Sequence, residues 1–118
     1  MTDFPVTIFH NPNCGTSRTV LATLRDKGLE PEVVDYLKAG WTKPDLQALL
    51  AEMKASPADV LRTRGAPAEA LAKLEGASND AILEAMTQHP ILVERPIVRT
   101  PKGARLCRPA ERVVDLLP

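Results

Sequence analysis

Cys14 is the residue whose setting points to chemistry. It lies in Asn-Pro-Asn-Cys-Gly-Thr-Ser-Arg, residues 11–18, a loop by composition rather than a piece of core. A free cysteine kept for packing sits among apolar neighbours; this one does not, so it reads as a reactive thiol. A strand-like run, Val-Thr-Ile-Phe-His at 6–10, comes before it, and Val20, Leu21 and Leu24 recur behind it at helical spacing. A thiol between a strand and a helix meets the unpaired N–H groups of the first helical turn and the positive end of the helix dipole. Both favour thiolate over thiol. The same ring of N–H groups, from Gly15, Thr16 and Ser17 onward, suits an oxyanion, and Gly15 lets the backbone come close to it. His10, four residues upstream, would add charge if protonated. Ser17 occupies the place, three residues on, where dithiol redox proteins carry the resolving cysteine. The resolving thiol must then come from outside, such as glutathione, or from Cys107, although Cys107 lies in an apolar strand and reads as core packing.

The composition narrows the partners. In 118 residues, Lys plus Arg number 15 and so do Asp plus Glu, a net charge of zero. No global field draws the chain to nucleic acid or anionic lipid, so an anion site has to be built locally. The chain has the residues for it, with nine Arg, whose planar fork suits an oxyanion better than Lys does, against six Lys. Two cysteines and two histidines without a CxxC or CxxH spacing make a metal site unexpected. No apolar run approaches the roughly 20 residues of a membrane helix. Residues 1–5 show no signal-peptide pattern, so a cytoplasmic location is expected.

The elements that must position the thiol follow from pattern. Strand 6–10, a helix from Thr16 or Ser17 to Lys27 closed by Gly28, and a second strand at 32–36 form a β-α-β unit, which makes the two strands parallel. Residues 42–89 read as an inserted block of four short helices. Thr42 with Asp45 opens the first, Ser56-Pro57 the second, Pro67 the third, and residues 79–88 form the fourth, with Ile82, Leu83 and Met86 inward. Strands at 97–100 and 104–107, joined by Pro101-Lys102-Gly103, form an antiparallel hairpin, and a last helix spans about 109–116. The fold class expected is α/β: one domain over 1–118, a thioredoxin-like mixed sheet of about four strands with flanking helices and the inserted block.

His10-Asn11-Pro12-x-Cys14-Gly15-Thr16-Ser17-Arg18 resembles the signature of the glutaredoxin-linked arsenate reductases, the ArsC family. Gln88-His89-Pro90-Ile91-Leu92-Val93-Glu94-Arg95-Pro96-Ile97-Val98 resembles that family's second block. Thr100-Pro101-x-Gly103 with Arg105-Leu106-Cys107-Arg108-Pro109 resembles its third. The resemblance implies that Cys14 attacks arsenic(V), that Arg62, Arg95 and Arg108 surround the oxyanion, and that His10 helps hold the thiolate. It also implies a cis Arg95–Pro96 bond. Arsenate is the implied substrate, with glutathione and glutaredoxin as reducing partners and no bound cofactor. In this scheme glutathione joins the arsenic adduct, glutaredoxin takes the mixed disulfide and arsenite leaves.

Two other readings compete. A different monothiol oxidoreductase of the same fold would keep Cys14 without needing the three arginines. A transcription-regulating relative that binds RNA polymerase would typically carry a CxxC switch, against which Ser17 speaks. A low-molecular-weight phosphatase needs Cys-x5-Arg, and that position holds Val20.

Overall fold

The computed structural model describes residues 4–118. It divides into two compact units. The segment up to Ala39 together with Arg95–Pro118 forms one, and Gly40–Glu94 forms the other. The second unit is wider than the block expected at 42–89, because it includes a 3-10 turn at Pro90–Leu92 and an isolated bridge between Leu61 and Val93.

The first unit is built on a four-stranded sheet. Strands β1 (Thr7–His10), β2 (Glu32–Asp35), β3 (Ile97–Thr100) and β4 (Gly103–Leu106) lie in the order β2-β1-β3-β4. β1 runs parallel to β2, with Ile8 opposite Val33, and antiparallel to β3, with Ile8 opposite Val98. β3 and β4 form the expected hairpin. Helix α1 (Gly15–Asp26) connects β1 to β2 and turns Val20, Leu21 and Leu24 inward. These pack in one cluster with Val6, Ile8, Val98, Cys107, Val113, Leu116 and Leu117. Gly28 follows α1 at φ 78, where an L side chain would be strained. This is the thioredoxin-like mixed sheet. It places the loop between β1 and α1 at one end of the central strand.

Within this unit, two elements differ in kind from the sequence reading. Tyr36 leaves β2 and begins a short helix α2 (Tyr36–Ala39), because the Asp35 carboxylate accepts the Leu37 amide at 3.2 Å and turns the chain. The last helix is a 3-10 helix over Ala110–Leu116. There the Thr100 hydroxyl donates to the Leu116 carbonyl at 2.8 Å, tying the end of β3 to it.

The second unit is helical. Helix α3 (Lys43–Met53) is capped by Thr42, whose hydroxyl accepts the Asp45 amide at 3.3 Å. A 3-10 turn follows at Pro57–Val60, where the Asp59 carboxylate accepts the Ser56 amide at 2.8 Å. Helix α4 (Ala68–Leu74) and helix α5 (Asn79–Gln88) complete it, α5 packing against α3, α4 and the 3-10 turn. Leu46, Leu49, Leu50, Val60, Ile82, Leu83 and Met86 are all buried. No helix among the described residues is long and apolar enough to cross a membrane.

Candidate functional site

Cys14 is the N-cap of α1. Its backbone is extended, at φ −100 and ψ 122. Its amide donates to the Asn11 carbonyl and its carbonyl accepts the Arg18 amide, both at 3.0 Å. The polar residues of the loop brace one another. The Asn11 side chain accepts the Asn13 amide at 2.9 Å, and the Asn11 amide donates to the Ser17 hydroxyl at 3.4 Å. Arg18 Nη1 donates to the Pro12 carbonyl at 2.9 Å. A loop stitched this way holds the sulfur in place without an apolar cage, which is the local reason for its polar sequence.

Several donors converge on that sulfur. Burial by itself pushes the thiol pKa up. The Ser17 amide, the Arg95 guanidinium, the Ser17 hydroxyl and the Arg108 guanidinium outweigh it and bring the pKa down from 9.0 to about 7. Arg108 Nη1 lies 3.6 Å from the sulfur and also donates to the Arg95 carbonyl at 3.0 Å. Arg95 is only 7% exposed. Its Nε and Nη1 are buried and have no hydrogen-bond partner among the described residues. Buried donors left unpaired cost free energy, so a guanidinium held in this state beside a thiolate is set up for an acceptor from outside. Arg95–Pro96 and Arg108–Pro109 are both cis. Cys107 donates its amide to the Pro96 carbonyl at 2.9 Å, which joins the segments carrying the two arginines. A monothiol beside two guanidiniums, one with buried donors to spare, fits a small oxyanion.

Comparison with known proteins decides the family. The profile of the ArsC family matches residues 9–116. This chain belongs to the ArsC family. It is 53% identical over 118 residues to a Synechocystis protein named arsenate reductase ArsI1, covering 99% of this chain and 82% of that protein. It is 46% identical over 114 residues to an Escherichia coli arsenate reductase, covering 96% and 81%. Among solved structures, an arsenate reductase from Vibrio cholerae superposes with a TM-score of 0.87 at 34% identity, covering 98% of this chain and all of that one, 100%.

The other residues singled out from the sequence divide. Gly15 and Thr16 open α1 directly after the thiol. Ser17 is fully buried and does more than start a helix: its amide and hydroxyl both serve the sulfur. His10 is 6% exposed, on the same face of β1 as Ile8. Burial pushes its pKa below 6.5, with Arg25 and Arg18 pushing the same way against Asp35. The charged form of His10 is therefore disfavoured. Cys107 is 0% exposed within the core cluster, and burial drives its thiol up to about 12. A thiol so placed packs in the core, as its apolar setting in the sequence suggests. Arg62 lies in the helical unit. Its Nη1 pairs with Glu94 Oε1 at 2.7 Å, and its Nε is buried without a partner among the described residues. Bonds from the Arg62 amide to the Leu92 carbonyl, at 2.7 Å, and from the Glu94 amide to the Val60 carbonyl, at 2.8 Å, fix both backbones. The bracing role of Asn11 escaped the sequence reading; an Asn three residues before an N-cap in a polar loop was the available signal. Among the described residues no group of three or more His, Cys, Asp or Glu side chains is placed to hold a metal ion.

Proposed function

We propose that this protein reduces arsenate to arsenite, with Cys14 as the nucleophile and glutathione and glutaredoxin as reductants, in the cytoplasm. The observation that carries the reading is the Cys14 sulfur, brought down to about 7 by Ser17, Arg95 and Arg108, beside buried Arg95 donors that lack a partner among the described residues. Arsenate is a tetrahedral anion whose oxygens accept what those donors offer. The arsenate reductases that the chain resembles supply the choice among oxyanions.

The chemistry follows from charge. Thiolate and arsenate repel, by several kcal/mol at close range in a poorly solvated site. Arg95 and Arg108 offset that repulsion and stabilise the charge that builds on oxygen during attack. Arg62 joins them on the strength of the family resemblance. Cys14 forms a sulfur–arsenic bond while one arsenic–oxygen bond breaks, and the oxygen leaves as water after taking a proton. Glutathione then joins this adduct by attack of its thiolate on the Cys14 sulfur. A disulfide bond forms, the electron pair of the sulfur–arsenic bond passes to arsenic, and arsenic(III) departs as arsenite. Two thiols have become one disulfide and arsenic has gained two electrons. Glutaredoxin reduces the mixed disulfide and restores Cys14. No bound cofactor enters the scheme.

The test is arsenate consumption with glutathione and glutaredoxin by the wild type and by Cys14→Ser. Turnover by the wild type and none by the variant is expected. Equal turnover by both removes Cys14 from the chemistry, and faster turnover with thioredoxin in place of glutaredoxin corrects the reductant.

A further inference from the structure

One flank of α1, at the edge of its buried row, carries a groove that the attack on arsenic does not use. It is an open space of about 480 Å³, lined in part by His10, Arg18, Leu21, Ala22, Arg25 and Asp26. That volume is in the range of small-molecule sites. Positions 18, 21, 22 and 25 follow the three- and four-residue spacing of one helix face. Cys14, four residues before Arg18, heads the same row. Arg18 and Arg25 are exposed cations, and neither has an ion-pair partner among the described residues. Arg18 is tied to the thiol loop through the Pro12 carbonyl, and a Cβ on Gly15 would lie 3.8 Å from its Nη2. Arg18 therefore marks the end of the groove nearest the sulfur. Leu21 and Ala22 form an apolar floor between the two guanidiniums. The buried His10 lines the wall, and its Nδ1 has no hydrogen-bond partner among the described residues.

The charge pattern suggests the occupant. Two cations seven residues apart on a helix are separated by about 10 Å. An extended tripeptide has its ends a similar distance apart, about 10 Å. Asp26 at the far rim disfavours a simple polyanion and suits an ammonium group. Two positive charges, one negative charge and an apolar strip between them complement two carboxylates, one ammonium and a short carbon chain. We propose that this groove is where the thiol co-substrate docks: an extended zwitterionic tripeptide of the glutathione class, its terminal carboxylates on Arg18 and Arg25, its ammonium near Asp26 and its thiol toward Cys14. The inference rests on the reading of the protein as a glutathione-using reductase and adds the place where glutathione is held.

Two measurements test it, one independent of turnover. S-methylglutathione, which cannot react, is titrated into the whole protein while the amide resonances of α1 are followed. Shifts confined to the face of Arg18, Ala22 and Arg25 are expected, with about fivefold weaker binding in Arg25→Ala, as for an exposed ion pair, and partial recovery in Arg25→Lys. In steady state, Arg25→Ala raises KM for glutathione by a similar factor and leaves kcat and KM for arsenate unchanged. Shifts elsewhere, equal affinity of wild type and Arg25→Ala, or sulfate displacing S-methylglutathione at equal concentration would each overturn the groove assignment. If the wild type consumes no arsenate with glutathione, the functional reading fails instead, and the titration still reports on the groove.

Discussion

Replacing Ser17 by alanine removes one donor from the Cys14 sulfur while keeping the backbone amide that also serves it. Ser17 is fully buried, and alanine fits its place with the loss of one oxygen. A hydrogen bond to a charged group contributes about 1.5–3 kcal/mol. The Ser17 amide, Arg95 and Arg108 remain around the sulfur, so the low end of that range applies, which is about one pKa unit. The Cys14 pKa should rise from about 7 to roughly 8. At pH 7 the thiolate fraction then falls from about one half to about one tenth. The assay is the rate of alkylation by iodoacetamide against pH for wild type and variant, with folding checked by thermal denaturation. The expected result is a curve displaced to higher pH, about fivefold slower at pH 7, with little change in the alkaline plateau. Superimposable curves, or a curve displaced to lower pH, would refute the idea that the Ser17 hydroxyl stabilises the thiolate.

Other outcomes follow from the same structure. Cys107, held at about 12, should stay unlabelled in native protein at neutral pH, so mass spectrometry should find one alkylated site, at Cys14. Its raised pKa contributes stability that is complete below the ordinary value of 9.0 and is lost as pH climbs from there toward 12; urea titrations of Cys107→Val should lose less stability over that window. His10 has a lowered pKa, so its contribution is present above 6.5 and fades as pH falls through its folded value; His10→Gln should flatten the acid side of the stability curve. Leu24→Ala in the sheet unit and Leu49→Ala in the helical unit remove fully or almost fully buried side chains and should each cost about 2–5 kcal/mol, read by urea denaturation.

The frame was legible because it follows from periodicity. Ile8 and His10 on one face of β1, the inward row of α1 and the Pro101–Gly103 turn are short-range patterns that local physics decides. Cys14 was legible for a related reason, since a helix start is set by neighbours in sequence. The end of β2 was not legible, because Tyr36 suits a strand and only the Asp35 carboxylate bending back to the Leu37 amide shows that the strand has stopped. Nor was the state of His10. Its identity suggests a cation at will, but its charge depends on burial and on Asp35, Arg25 and Arg18, eight or more residues away. The pairing of Arg62 with Glu94 spans 32 positions and has no local signal. Arg95 and Arg108 were named from family blocks. That one of them leaves two buried donors without a partner among the described residues is visible only in three dimensions.

The central claim is that the Cys14 sulfur itself bonds to arsenic and carries the oxidation. A single turnover tests it: protein is mixed with arsenate and glutathione without glutaredoxin, then quenched, and both arsenite and intact protein mass are measured. The account predicts one glutathione disulfide on Cys14 for each arsenite released, and neither product from Cys14→Ser. Arsenite formed while Cys14 stays free and alkylatable would contradict it.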